Sequence, residues 1–209
     1  MSLPGPHITY WGGDTLYVNL TSRCSAACTF CLRTFTSEVF GYDLQLSVDE
    51  EPQPEDVVAA LERETAGRAP DEVVFVGLGE PTLALDAVLA GVEWAHRRGL
   101  PTRLNTNGQG ELLNPGRDVV AELAAAGLRA ASVSLNAPDE ATYDRLCRPL
   151  VTSAFAAVTD FVRRAVEEGI DVTSTVVDLP EVDKEAAAAL AADLGASFRV
   201  RRLLKPEVA

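Results

Sequence analysis

Apolar positions along this chain fall into two alternating rhythms. Short runs rich in β-branched residues have the length and composition of strands: TLYVNLT (15–21), EVVFVG (72–77), TRLNTNG (102–108), ASVSLNA (131–137), DVTSTVVDL (171–179) and SFRVRRL (197–203). Between them lie segments with helical spacing. These run over 54–67 with an acidic first turn, about 84–98 closing at Gly99, about 115–126 capped by Gly127, through PDEATYDRLC, about 152–168 ending at Gly169, and 183–194. Six strands alternating with helices predict an α/β fold, a parallel sheet with right-handed crossovers. Periodicity leaves open whether that sheet is doubly wound or curled into a partial barrel.

The polar positions add a second prediction. A parallel strand buried on both faces is nearly all apolar, yet several of these strands alternate. Arg103, Asn105 and Asn107 fall on one face, as do Ser132, Ser134 and Asn136, then Arg199 and Arg201. Their neighbours Leu104, Val133, Leu135, Phe198 and Val200 are expected to pack against helices. One face of the sheet is therefore read as a cavity wall; the competing reading is a set of buried polar groups satisfying one another.

Composition narrows the class. At 209 residues the chain is expected to form one domain, 1–209, large enough for a real core. Mean hydropathy is +0.06. No apolar run approaches a bilayer span, and the first residues lack the pattern of a signal peptide, so no membrane association is expected and the cytoplasm is the expected compartment. With 18 basic against 31 acidic residues, the net charge of −13 argues against general nucleic-acid binding, which depends on neutralising phosphates.

Cysteine placement points to metal or redox chemistry. Cys24, Cys28 and Cys31 lie within LTSRCSAACTFCLR directly after the first predicted strand, while Cys147 stands far away. A secreted disulfide framework would spread an even set through a small domain. The C-x3-C-x2-C loop sits at the C-terminal end of its strand, where parallel α/β sheets carry their active sites. Three thiolates can hold three irons of a [4Fe–4S] cubane, whose usual set is four, and leave one iron open. Structural zinc would need four ligands, and beyond these cysteines the chain offers only Cys147, His7 and an isolated His96. A redox dithiol at C-x2-C is the other alternative.

These residues resemble the signature of the radical S-adenosylmethionine (SAM) superfamily: C-x3-C-x2-C with Phe30 before the last cysteine, GLGEPTL (77–83) after the second strand, NTNG (105–108) and SVSLNAP (132–138). The first glycine of the Gly-Gly-Glu-Pro motif is replaced by Leu78. The resemblance implies a partial (β/α)6 TIM-like barrel and covers about 15–203. More narrowly, YWGGDTLYVNLTSRC, SLNAPDEATYDRLCRP and LGASFRVRRL are similar to the TatD-associated radical SAM proteins, which carries a possible functional link to a TatD-type nuclease.

The resemblance implies a [4Fe–4S] cluster on Cys24, Cys28 and Cys31, with SAM chelated at the open iron. Electrons would come from an external donor such as flavodoxin or ferredoxin, and SAM would be cleaved to a 5′-deoxyadenosyl radical acting on an unknown substrate. Glu80, with the Gly79 backbone, would take the SAM ammonium. Asn105, Asn107, Ser134 and Asn136 would meet its ribose or carboxylate, Arg199 and Arg201 would clamp a carboxylate or phosphate, and Phe30 would contribute its backbone. The competing assignments are loop-satisfying strand ends and plain salt bridges. Alternatives to this function are a glycyl-radical activase, a deazapurine-type ring-forming enzyme, and a non-catalytic Fe–S or zinc module. Radical SAM RNA methylases need two further catalytic cysteines, whereas only Cys147 remains here; its default reading is a small buried hydrophobe.

Overall fold

The computed structural model describes residues 7–204. Its seven-stranded sheet runs β1 (Thr9–Gly12), β2 (Thr15–Asn19), β5 (Glu72–Val76), β6 (Thr102–Thr106), β7 (Ala130–Ser134), β8 (Asp171–Val177) and β9 (Ser197–Arg201). All neighbours from β2 to β9 pair in parallel, and β1 pairs antiparallel to β2. Spatial order follows chain order, as successive crossovers of one hand require. The fold is a mostly parallel α/β sheet with outer helices, consistent with a partial TIM-like barrel.

The crossovers carry α1 (Pro54–Thr65), α2 (Leu85–His96), the short α3 (Gly110–Leu113), α4 (Val119–Ala126), α5 (Glu140–Cys147), α6 (Ala154–Glu167) and α7 (Lys184–Asp193). Local chemistry sets their ends. Pro54 opens α1. Asp118, Asp139 and Asp183 accept hydrogen bonds from first-turn amides of α4, α5 and α7. The helix expected from about 115 starts instead at Val119, because Pro115-Gly116 forms a turn and Asp118 caps the first turn of α4.

Leu16, Val18, Val73, Phe75, Leu104, Ala131, Val133 and Val172 point from the sheet into one core with Val57, Leu61, Val88, Val92, Leu123, Val158, Phe161 and Val162. Val158, Phe161, Val162 and Ala165 form the buried stripe of α6 at helical spacing. Each such side chain removed from water contributes about 1.5–3 kcal/mol. His96 is exposed, as its position beside Arg97 and Arg98 suggested. Val200 corrects the expected packing: it is 41 % exposed, because β9 is the sheet edge and α7 covers Phe198 instead.

One feature lies outside the sequence-based expectation. A hairpin of β3 (Glu38–Val39) and β4 (Tyr42–Asp43) turns through Phe40 and Gly41, both at positive φ. It forms a small cluster of Tyr10, Leu44 and Leu78 with Tyr17, Val39 and Tyr42. Among the described residues no helix is long and apolar enough to cross a membrane.

Candidate functional site

Three separate connections grip the cysteine loop at the C-terminal end of the sheet. The loop after β5 comes closest. Gly79 N–H donates to the Thr21 carbonyl at 2.9 Å and Glu80 N–H to the Arg23 carbonyl at 2.8 Å. Glycine is required by space: a Cβ on Gly77 would stand 2.6 Å from Thr21 O, and one on Gly79 only 1.7 Å from Arg23 O. The backbone of the Gly-Glu-Pro stretch therefore lies directly on the cysteine loop. Leu78, standing where the family pattern has glycine, is buried in the hairpin cluster.

Glu80 comes next and turns its side chain inward, with 1 % exposed. Its Oε1 accepts from Thr82 N at 3.1 Å, Thr82 Oγ1 at 2.8 Å and Thr106 Oγ1 at 2.6 Å, while Oε2 accepts from Asn107 N at 2.6 Å. Burial pushes its pKa up and these four donors pull against that rise. Among the described residues no basic side chain pairs with it. One carboxylate thus braces two loops while Oε2 keeps acceptor capacity in hand.

The 105–108 loop supplies the second grip, as Asn107 Nδ2 donates to Ser25 Oγ at 2.9 Å. The third comes from the segment after α5. Ala27 N donates to Arg148 O at 3.1 Å, Thr29 N to Leu146 O at 2.9 Å, and Leu150 N to Ser25 O at 2.8 Å, around an antiparallel bridge of Ala26 with Pro149. Outside these, Glu51 binds Arg23 through two oxygens and also accepts from Thr21 Oγ1.

The polar face predicted from alternation exists along β6 and β7. Register places Arg103 beside Ala130, Asn105 beside Ser132, Ser132 beside Thr173, and Ser134 beside Thr175. Arg103 is committed to Glu72, with Nη2 at 2.8 Å, and its Nη1 donates to Asn105 Oδ1 at 2.8 Å. Asn105 therefore serves the wall itself at that oxygen. Arg201 reaches inward, donating to Ser134 Oγ and Asn136 Oδ1, each at 3.4 Å. Its Nε is buried without a partner, no carboxylate pairs with it among the described residues, and burial lowers its pKa. Arg199 differs from the expectation of an inward pair: on the edge strand it is exposed. Phe30 is partly buried between the two larger apolar clusters.

All four cysteines are free thiols. Burial pushes Cys24 up to about 11. Cys28 moves the other way: a hydrogen bond from Cys147 lowers it, and Arg33 and Arg201 add smaller favourable charges. Cys147 is 1 % exposed and also lies 3.5 Å from Asn136 Nδ2. Among the described residues no three His, Cys, Asp or Glu side chains converge as on a single metal ion. That donor set suits a multi-iron cluster, in which each thiolate takes its own iron, better than tetrahedral zinc, which needs four ligands on one centre.

Sequence alternation missed Ser25, Thr82 and Thr106, the residues that fasten the loops. Thr106 occupies the helix-facing register and only at the strand end can its hydroxyl meet Glu80; no periodicity signals this. Thr173 and Thr175, which extend the polar face into β8, were concealed in a β-branched run.

Residues 18–194 match the family described as the Radical SAM superfamily. A protein of Sorangium cellulosum named a probable RNA methyltransferase is 31 % identical over 205 residues, covering 92 % of this chain and 47 % of its own length. One of Opitutus terrae named a probable dual-specificity RNA methyltransferase is 36 % identical over 132 residues, 57 % of this chain and 32 % of its own. The chain thus spans about half of one curated relative and a third of the other. Among solved structures, Streptococcus suis SuiB bound to S-adenosylmethionine superposes with a TM-score of 0.69 at 16 % identity, covering 91 % of this chain and 41 % of that one. The anSMEcpe structure with bound AdoMet gives 0.68 at 17 % identity, over 91 % and 51 %. At such identities these two show the fold.

Proposed function

We propose, from the premise that this chain belongs to the radical SAM superfamily and is one of its enzymes, that its cysteine loop is the cluster site and the polar wall the SAM site. The cofactors of the family are a [4Fe–4S] cluster and SAM. Cys24, Cys28 and Cys31 would hold three irons. Bound there, the pair supplies one-electron reductive cleavage of the sulfonium, and thus hydrogen abstraction from a substrate.

The observation that carries this reading is a matched pair of unpaired charges beside the cysteines. Among the described residues Glu80 is a buried carboxylate without a cation and Arg201 a largely buried guanidinium without an anion. Glu80 acts electrostatically on Cys24 and Arg201 on Cys28, so the two flank the loop. An amino-acid zwitterion presents an ammonium and a carboxylate and would satisfy both. Gly79 brings backbone to the same place. Asn107, Ser134 and Asn136 offer neutral donors and acceptors for hydroxyl groups, Asn105 retains its amide nitrogen for the same use, and Phe30 and exposed Arg199 border the site. The chain's part is to bind, orient and exclude water.

A mechanism that methylates through a pair of catalytic cysteines is disfavoured by residues 1–209. Within these residues Cys147 is the one cysteine outside the loop, and it is buried against Cys28. The curated relatives' names make RNA methylation the second reading; a net charge of −13 weighs against general nucleic-acid binding. We assign residues 1–209 to one radical SAM core, most similar to the TatD-associated group and functionally linked to a TatD-type nuclease. It would act in the cytoplasm with flavodoxin or ferredoxin as electron donor.

Anaerobic reconstitution with iron and sulfide tests the reading. The expected result is a [4Fe–4S]⁺ EPR signal that changes when SAM is added, with 5′-deoxyadenosine released. A signal indifferent to SAM, or stoichiometric zinc without iron, overturns it.

A further inference from the structure

Cys147 is the thiol that the cofactor assignment does not use, and its place is defined by backbone pairing. The bonds Ala27 N to Arg148 O and Thr29 N to Leu146 O bracket Cys28 and Cys147 in one antiparallel register, continued by the Ala26–Pro149 bridge. Residues 27 and 148, then 29 and 146, are each joined by a single bond, since Arg148 N turns back to Asp144 O at the end of α5. Cys28, in the loop, and Cys147, the last residue of α5, therefore face each other between these two backbone bonds, with their thiols in contact.

The surroundings fix which way the thiol points. A guanidinium can only donate, so Arg201 Nη2 at 3.4 Å identifies the facing atom of Asn136 as its carbonyl oxygen. The amide nitrogen of Asn136 then faces Cys147 Sγ at 3.5 Å and donates to it. With its sulfur accepting from Asn136, the Cys147 proton is free for Cys28. Asn136 holds this orientation from a left-handed backbone conformation, φ 60°, that asparagine tolerates better than most residues, and its N–H is anchored to Thr175 O at 3.0 Å.

We propose that Cys147 is a positioning residue for the cluster: its thiol donates a hydrogen bond to the Cys28 sulfur and raises the reduction potential of the [4Fe–4S] centre. This rests on the assignment of Cys28 as an iron ligand. Reduction adds negative charge to the cluster and its sulfurs, so a donor to a ligating sulfur favours the reduced form.

The test compares the reconstituted wild-type protein with C147A and C147S, titrated by EPR at fixed ambient potentials without SAM, each with its iron and sulfide content measured. The expected result is full iron content throughout and a lower potential for C147A, with up to about tenfold less reduced cluster at a fixed poise. C147S, whose hydroxyl still donates, should return towards wild type. Equal potentials in all three proteins overturn the inference while leaving the cluster assignment intact. A wild-type protein that takes up no iron overturns that assignment and this inference with it. If C147A fails to load, the isosteric pair C147V and C147T decides: a cluster held by the donor variant alone supports the proposal, and loss from both assigns Cys147 to packing.

Discussion

Gly79 and Arg23 meet so closely that a methyl group on Gly79 would stand 1.7 Å from the Arg23 carbonyl oxygen. The loop after β5 and the cysteine loop consequently behave as one body, joined by two backbone hydrogen bonds at this point. The geometry of the proposed iron ligands then depends on a residue that has no side chain.

The substitution G79A should separate the two loops. The methyl group cannot be relieved by side-chain rotation, because backbone lies on both sides of the contact. Losing two partly buried backbone bonds and shifting a loop should cost about 3 kcal/mol or more. Urea unfolding of the cluster-free protein measures this, and iron uptake should fall with it. Gly67, exposed, at ordinary φ and with open space around its Cβ position, is the control; G67A should change stability by less than about 1 kcal/mol. Equal unfolding midpoints for the two variants would break the account.

A second fastening is acid-sensitive. Burial pushes Glu51 up, but its hydrogen bonds to Arg23 and Thr21 outweigh that and leave it below the ordinary carboxylate range. A depressed native pKa contributes stability that is present above the unfolded value, about 4.3, and is lost as pH falls through the native value. E51Q should therefore melt below wild type at pH 7, and the gap should narrow steadily below about pH 4. Melting curves across that range decide it; a gap independent of pH would remove the ion pair from the explanation.

The six parallel strands and their helices were legible because each strand is a β-branched run of five to seven residues and most helices carry an acidic start or a glycine stop. The β3–β4 hairpin was not legible: strands of two residues have no period, and its turn depends on positive φ at Phe40 as well as Gly41. The cysteine loop announced itself by local spacing. Cys147 did not, since its partner lies over a hundred positions away and only the pairing of residues 25–29 with 146–150 brings them together. Arg199 and Arg201 look equivalent in sequence; the edge position of β9 leaves the first in solvent and turns the second inward.

Glu80 separates charge from shape. E80Q keeps the volume, yet its amide places a donor group among four donors, Thr82 N, Thr82 Oγ1, Thr106 Oγ1 and Asn107 N. The hydroxyls can turn away, but the two backbone N–H groups cannot. We expect a loss of about 1–3 kcal/mol in the cluster-free protein, iron uptake near wild type, and SAM binding weakened at least tenfold, on the order expected when a charged hydrogen bond is lost. Equilibrium dialysis with labelled SAM reads the last term. Undiminished SAM binding would confine Glu80 to bracing the loops.

Arg201 should behave in the opposite sense in the absence of ligand. Its guanidinium is largely buried, its Nε has no partner, and among the described residues no carboxylate offsets the cost of removing the charge from water. Replacing a buried, uncompensated charge with an apolar side chain of similar length is commonly neutral or stabilising. R201M should therefore unfold no earlier than wild type when free of SAM. Among the described residues it also supplies the one inward guanidinium of the polar wall that no acid occupies, Arg103 being committed to Glu72. Removing it should weaken SAM binding by about tenfold to a hundredfold, the range of a charge-assisted hydrogen bond. Since SAM stabilises only the state that binds it, the melting-temperature rise on adding SAM should shrink in R201M while the starting temperature holds or climbs. A purely structural arginine would give the reverse pattern, a lower starting temperature and an unchanged rise, and that result would move the anion site away from β9.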